Sequence, residues 1–461
     1  RELDSKGTWQ DFFQTKTWGY WQDQLVTTHP IETKVVDVRT AKGNFDGITY
    51  AKGASSLKQL HFFVGEEGFK KGLQSYFKTY AFKNTTREDF IQEIAKASEI
   101  PLDGWTKKWL QTAGPNRVRL VPTCEAGLIK SLKIEQKKSS SGNLSPHRTR
   151  IGLYEIKNGE ISLFRTHDVV YDQESTVISE LQGTRCPDFF LPNQDDQDYA
   201  LFSLDEVSLK QANLALTKLP DPLSRLMVWS MLGQMVRDLE ITPQDYLTFA
   251  KAGLATESDD LLLAGVIGNH STLAFQYGLY LTKAERTIEA PVLEGLLWER
   301  LTKAKPESSL QMTFYDFYVS IAQTPESMQK LAEMLKTNTP PKGITLDQDR
   351  RWNIVSTLSM NGHPEAPSLL EAETKKDPST TGLRQAYVAG ASVPDAKVKK
   401  KYWDDFRTNK NLPFSNFRPA SYRFHSSNAT ELSLPYVDCF FKTATTMDWS
   451  KNDSMVDVWF E

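Results

Sequence analysis

One stretch of the sequence places a side chain able to donate a strong hydrogen bond at the junction of a loop and a helix. The stretch Phe45–Ala54 begins with turn-forming residues, among them Asp46 and Gly47, and continues from Ala51 with residues that favour a helix. Tyr50 lies at this junction, so its phenol can point into a cleft and donate a hydrogen bond to a developing oxyanion. Taken alone, however, a tyrosine at the start of a helix favours a packed aromatic side chain.

Five motifs around Tyr50 follow one another in a recognisable order and spacing. They lie at Thr28–Glu32, Phe45–Ser55, Val64–Phe77, Asn84–Phe90 and Trp105–Gly114. In this pattern the chain resembles the aminopeptidase N family of zinc metallopeptidases, whose catalytic domain is thermolysin-like. The resemblance implies that the chain is the C-terminal part of such an enzyme.

The resemblance also assigns roles to individual residues. Tyr50 matches the family's catalytic tyrosine, whose hydroxyl stabilises the tetrahedral oxyanion when water attacks the first peptide bond. Phe45 matches an aromatic residue that lines the pocket for the substrate's first side chain, and the alternative for Phe45 is a buried anchor beneath the loop. Lys52 and Gly53 match as well, and we interpret them as structural: Lys52 in a local ion pair, and Gly53 for close packing of the helix.

The zinc-binding motif of the family is missing from this sequence. Family members bind one catalytic zinc ion through His-Glu-x-x-His and a later glutamate. This chain has seven histidines, and no two of them are four residues apart. Because the family places its ligands before the position at which this chain begins, we expect one zinc ion in the complete enzyme, with ligands upstream of this chain and none within it. We therefore interpret the chain as a fragment or processed product, inactive alone, whose partner is the missing N-terminal half of the same protein.

The hydrophobic pattern predicts three domains and a mainly α fold. Residues 1–116 have helical periodicity and match the C-terminal helical part of the catalytic domain. Residues 117–208 alternate between polar and apolar, and Asn158–Gly159 is a hairpin signal, so we expect a small β-sandwich. Residues 209–461 return to amphipathic helices, with start signals such as Asp221–Pro222, and predict a superhelical (HEAT/ARM-like) C-terminal domain.

Two smaller features have a structural interpretation. The acidic cluster Asp195, Asp196 and Asp198 lacks the central glycine and closing glutamate of a calcium loop, so we favour a solvated turn. Arg351 lies in a stretch similar to bacterial members of the family. We assign it no role beyond a surface charge or an ion pair between two helices.

Composition excludes several classes of protein. The formal net charge is -3 and acidic and basic residues are interleaved, which argues against a nucleic-acid partner. No apolar run has the length of a membrane span. Cys124, Cys186 and Cys439 are too few for a disulfide framework or a zinc knuckle; one bridge between Cys124 and Cys186 is conceivable, but buried thiols are favoured.

The expected function is a metalloaminopeptidase that removes single residues from the amino termini of peptide substrates. We expect a cytoplasmic location, although the missing N-terminus leaves an exported form open. The alternative is a non-catalytic scaffold or subunit that keeps the aminopeptidase fold for protein binding. The presence of both Tyr50 and Phe45 favours the enzyme, because a scaffold has no chemical need for them.

Overall fold

The structure of the protein is a computed structural model, and it describes residues 7–267, 273, 276–409 and 411–446. Helices predominate in these residues, and a small region of β-sheet follows the first helices. The chain divides into two compact units, residues 1–266 (the first unit) and residues 267–461 (the second unit). The mainly helical class with a small sheet region is confirmed, whereas the three domain boundaries and the superhelical character stay predictions.

The described part of the first 116 residues is helical, as the periodicity predicts. Its elements are α1 (Thr8–Gln22), α2 (Val38–Gly43), a π-helical turn (Ile48–Lys52), α3 (Gly53–Val64), α4 (Glu66–Thr79), α5 (Arg87–Ser98) and α6 (Asp103–Leu110). Thr86 and Asp89 form a capping box at the start of α5, because the Thr86 N–H donates to the Asp89 carboxylate at 2.8 Å and the Asp89 N–H donates to the Thr86 hydroxyl oxygen at 3.3 Å. Leu60, Ile94 and Trp105 bring α3, α5 and α6 into one core.

Two β-sheets follow these helices. Their strands are β1 (Arg117–Glu125), β2 (Leu128–Lys137), β3 (His147–Lys157), β4 (Glu160–Tyr171), β5 (Ser175–Val177), β6 (Phe189–Leu191) and β7 (Leu201–Ser203). One sheet has the order β5-β2-β1-β7 and the other the order β4-β3-β6. The predicted hairpin joins β3 to β4, and Asn158 and Gly159 have φ values of 53° and 78°, which give a turn whose twist matches that of the strands.

Short helices complete the first unit. They are α7 (Glu206–Lys210), α8 (Ala212–Lys218), α9 (Pro222–Arg237), α10 (Pro243–Thr256) and α11 (Asp260–Ile267). The Asp221 carboxylate accepts the Ser224 N–H at 2.9 Å and caps α9, with Pro222 in the first turn. The apolar face of α9, including Met227 and Met231, is buried.

The second unit is helical in its described residues. It contains a π-helical turn (Gln276–Tyr280), α12 (Lys283–Lys303), α13 (Ser309–Ile321), α14 (Pro325–Thr337), α15 (Gln348–Met360), α16 (Ala366–Lys376), α17 (Thr380–Ser392), α18 (Ala396–Thr408), α19 (Phe414–Phe424), α20 (Thr430–Ser433) and α21 (Val437–Thr446). Arg351 forms the ion pair between helices, since its Nε and Nη2 donate to the Glu373 carboxylate at 2.8 and 2.6 Å and join α15 to α16. None of the helices described in either unit combines the length and the apolar character that a membrane span requires.

The expectation that the cysteines are buried thiols is wrong. Cys124 of β1 forms a disulfide with Cys186, and their Cα atoms lie 6.0 Å apart. The segment before β6 runs beside the β1–β2 turn, where the Cys186 N–H donates to the Gly127 carbonyl at 2.8 Å. The third cysteine, Cys439, is exposed and unpaired. A local sequence pattern does not reveal this pair, because 62 residues separate the two cysteines. The cytoplasmic location stays a prediction.

The acidic cluster is also different, because two of its three carboxylates are buried and the solvated turn is therefore wrong. Lys16 Nζ of α1 donates to Asp196 at 2.5 Å, and Lys58 Nζ of α3 lies 3.5 Å from the same carboxylate. Asp198 contacts His147 Nδ1 at 2.8 Å. Burial lowers the pKa of Lys58 to about 8, against the opposing attraction of Asp196. The cluster therefore joins α1, α3 and β3, because Asp196 and Asp198 have polar partners on these elements. A buried carboxylate requires such partners.

Candidate active site

Tyr50 lies on the π-helical turn that leads into α3. Its N–H donates to the Asp46 carbonyl at 3.0 Å, and the Lys52 N–H reaches back to the Gly47 carbonyl at 2.9 Å. Such a turn contains one residue more than an α-helical turn and is frequent at functional sites. The backbone that carries the tyrosine is therefore held by hydrogen bonds on both sides of it.

The side chains of Tyr50 and Phe45 lie together on the surface of the first unit. Their ring centroids are 5.8 Å apart, and the rings are 51% and 69% exposed. In the part of the chain that the structure describes, no group forms a hydrogen bond with the Tyr50 hydroxyl. The two alternatives, a packed tyrosine and a buried Phe45 anchor, are therefore wrong. Because both rings are exposed, a substrate can reach them, as their predicted roles require.

The other side of the turn is packed against α1. Ile48 is buried, and a Cβ placed at Gly47 would lie 2.9 Å from the Trp18 carbonyl oxygen. A Cβ at Gly19 would lie 3.1 Å from the Gly47 carbonyl oxygen, so glycine at both positions lets the two backbones touch. By contrast, a Cβ at Gly53 would meet nothing closer than 3.9 Å. The close-packing role predicted for Gly53 is wrong, because the contact is made earlier in the turn.

A carboxylate fixes the start of the turn. Asp46 Oδ1 accepts the Thr49 N–H at 2.8 Å, and Asp46 Oδ2 lies 2.7 Å from His29 Nε2. The other ring nitrogen of His29 contacts the Pro30 carbonyl at 2.8 Å. Two of the motifs found in the sequence are thus in direct contact. The sequence indicated both segments through the resemblance but gave neither side chain a role, since nothing local marks a pair 17 residues apart.

A second carboxylate holds the end of the turn. Lys52 Nζ lies 2.8 Å from Asp23 Oδ2, and both side chains are buried. The predicted ion pair of Lys52 is confirmed, and its partner is the residue directly after α1. The same carboxylate accepts the hydroxyl of Thr28 at 2.7 Å. Two carboxylates therefore hold the turn on either side of Tyr50, Asp46 through the Thr49 N–H and Asp23 through Lys52.

The described residues do not offer a metal site of their own. Among them, no group of three or more His, Cys, Asp or Glu side chains could hold a metal ion. The zinc ion that the resemblance implies therefore does not fit this part of the chain. What these residues offer is one phenolic donor at a fixed position, with an aromatic ring beside it.

Two protein families match the chain. Residues 2–109 match the Peptidase family M1 domain, and this match contains Tyr50 and all the residues that hold its turn. Residues 189–459, more than half of the 461 residues, match the ERAP1-like C-terminal domain.

Several curated relatives are aminopeptidases. Aminopeptidase N of Streptomyces lividans is 32% identical over 459 residues, which cover 97% of this chain and 53% of that protein. Probable aminopeptidase 2 of Sulfurisphaera tokodaii is 38% identical over 107 residues, or 23% of this chain and 14% of the relative. Glutamyl aminopeptidase of Sus scrofa is 39% identical over 90 residues, or 19% and 10%. The match covers nearly all of this chain, which spans about half the length of the Streptomyces protein. The chain belongs to the aminopeptidase N family of peptidases.

Proposed function

We propose that this chain is part of a zinc-dependent aminopeptidase that removes single residues from the amino termini of peptides. Membership of the family supports a peptidase in general. The observation that carries the proposal is the Tyr50 hydroxyl, which has no partner among the described residues although its backbone is fixed on both sides. A scaffold has no use for a phenol that is exposed and held in this way.

In the proposed reaction Tyr50 stabilises the charge that develops on the substrate. The oxygen of water forms a bond to the carbonyl carbon of the first peptide bond, and the carbonyl oxygen takes up the electron pair. The Tyr50 O–H donates a hydrogen bond to this oxyanion. The electron pair then returns to re-form the carbonyl, the C–N bond breaks, and the proton lost by the attacking water passes to the nitrogen of the shortened peptide, which leaves as an amine. A donor of this kind is worth about 10²–10³ in rate because it needs no reorganisation during the reaction.

Phe45 contributes the contact with the side chain that is removed. Its ring lies 5.8 Å from that of Tyr50 and is exposed. An apolar first side chain that packs on this ring would have its carbonyl near the phenol. Phe45 would thus orient the substrate and select for the type of its first residue.

Other functions of the enzyme are assigned to the rest of the protein. In this family a bound zinc ion activates the attacking water. The described residues provide no ligand set for it, so its ligands and the acidic site for the substrate's amine would lie in the N-terminal half of the complete protein. We accordingly expect this chain to be inactive alone.

The test is Tyr50→Phe in the full-length protein encoded by the natural gene, loaded with zinc and assayed with an alanyl chromogenic substrate. We expect kcat to fall about 100- to 1000-fold while the thermal midpoint is unchanged. Tyr80→Phe is the matched control, because its hydroxyl donates to Asp89 at 3.1 Å and lies outside the turn. A full rate in Tyr50→Phe would refute the role of Tyr50. A zinc-loaded wild type without peptidase activity would favour the scaffold.

A further inference from the structure

A histidine outside the turn contacts the carboxylate that begins it. His29 Nε2 and Asp46 Oδ2 lie 2.7 Å apart, and the two side chains are only 22% and 15% exposed. We propose that His29 is a positioning residue for Tyr50 and that it acts through Asp46. This inference rests on the proposed function of Tyr50. It adds His29, a side chain to which the proposed function assigns no role.

The contacts of its two ring nitrogens define the orientation of His29. Nδ1 lies 2.8 Å from the Pro30 carbonyl oxygen. Nε2 faces the Asp46 carboxylate, which is an acceptor. The contact between Nε2 and Asp46 is thus a hydrogen bond in which the ring donates to the carboxylate. The Pro30 contact meanwhile fixes the plane of the ring.

Asp46 transmits this restraint to the two aromatic residues. Its Oδ1 accepts the Thr49 N–H at 2.8 Å, and its backbone carbonyl accepts the Tyr50 N–H at 3.0 Å. Phe45 precedes it directly in the chain. A carboxylate that lost its histidine would rotate more freely, release the Thr49 N–H and let the phenol move. A misplacement of about 1 Å can lower a rate by about 100-fold.

The residue before His29 restrains the other end of the same turn. The Thr28 hydroxyl donates to Asp23 at 2.7 Å, and Asp23 pairs with Lys52 at 2.8 Å. Two consecutive residues therefore contact the two carboxylates that hold the turn on either side of Tyr50. The two pairs differ in burial, because Asp23 and Lys52 are buried whereas His29 and Asp46 are partly exposed. A substitution in the partly exposed pair therefore tests positioning with less effect on general stability than one in the buried pair.

Two substitutions of His29 separate its two contacts. In His29→Gln the side-chain nitrogen reaches the place of Nε2 and keeps a donor for Asp46. In His29→Asn the nitrogen takes the place of Nδ1 and leaves Asp46 without its donor. In the full-length zinc-loaded protein, we expect His29→Asn to lower kcat about 10- to 100-fold with little change in KM. We expect His29→Gln to retain kcat to within about threefold, and His61→Gln, on α3, to behave as the wild type.

Two further readouts distinguish positioning from a loss of stability. In the Tyr50→Phe background, His29→Asn should lower the rate by no more than about threefold further, because its effect passes through the missing hydroxyl. Hydrogen exchange in peptides that span residues 45–52 should accelerate about 10-fold in His29→Asn and stay unchanged in His29→Gln. Equal losses in Asn and Gln, additive losses in the double variant, or unchanged exchange in His29→Asn would each overturn the proposal. If Tyr50→Phe alone keeps its rate, the proposed function fails, and the exchange experiment still decides whether His29 holds the turn.

Discussion

Lys52, two residues after the exposed Tyr50, forms a buried ion pair with Asp23, in which Nζ and Oδ2 lie 2.8 Å apart. The pair connects the turn to the end of α1. A buried carboxylate is tolerated because it has a charged partner and hydrogen bonds. The exposed and the buried side of this turn thus have different tasks, which substitutions can separate.

Lys52→Met should destabilise the protein strongly. It leaves the Asp23 carboxylate buried with hydrogen bonds but without its charge partner, and removal of one member of a buried pair costs about 3–5 kcal/mol. Urea unfolding followed by circular dichroism would measure the loss. Lys42→Met is the control, because Lys42 is exposed at the end of α2, and a change below about 0.5 kcal/mol is expected there. Similar values for the two variants would show that the pair contributes little.

Phe45→Ala should change which first residue the proposed enzyme prefers. Loss of an apolar contact with a large side chain lowers kcat/KM about 10-fold or more, whereas a small side chain loses little. The ratio of kcat/KM for leucyl and alanyl chromogenic substrates measures this effect. Phe82→Ala is the control, since Phe82 is fully exposed after α4. An unchanged ratio in Phe45→Ala would remove Phe45 from the substrate pocket.

Lys399 of α18 gives the second unit an unusual dependence on pH. Its side chain is fully buried, and its Nζ donates to the Ala391 carbonyl at 2.7 Å and lies 5.0 Å from the centroid of the Phe424 ring. Burial lowers the pKa of Lys399 to about 8, below the value near 10.5 that it has in the unfolded chain. The unfolded state therefore binds more protons between these two values, and the stability of the folded state rises as the pH rises.

Substitution of Lys399 tests this dependence. We expect Lys399→Met to raise the free energy of unfolding at pH 7 by about 2 kcal/mol, since the buried charge is removed and one hydrogen bond is lost. The advantage over the wild type should shrink by about 1.5 kcal/mol between pH 8 and pH 9.5. Lys400→Met, at an exposed position paired with Asp404, should show neither effect. A constant difference between the wild type and Lys399→Met across this range would contradict the assignment.

The parts of the fold that the sequence predicted correctly depend on interactions over a few residues. The Asp221–Pro222 start of α9 and the Asn158–Gly159 turn are examples, because their hydrogen bonds and backbone angles are set locally. The Cys124–Cys186 bond and the buried Asp196 were not predicted. Their partners are 62 and 180 residues away, and a pattern of neighbouring residues does not contain that information.

The candidate site shows the same division. The resemblance identified Tyr50 and Phe45, while the properties of a single tyrosine favoured a packed side chain. Their exposure follows from the close contact of Gly19 and Gly47, which fills the other side of the turn. The contact between His29 and Asp46 joins two motifs 17 residues apart, so no local pattern of residues contains it.

The contact between Lys16 and Asp196 also has a consequence for the order in which the chain folds. Lys16 is buried in α1 and donates to Asp196, which the ribosome adds 180 residues later. At about 5–20 residues per second, that interval lasts about 10 to 40 s. During this time the Lys16 ammonium lacks the Asp196 carboxylate, and burial of an unpaired charge is unfavourable. The ion pair between Lys16 and Asp196 can therefore form only after strands β1 to β6 have been synthesised.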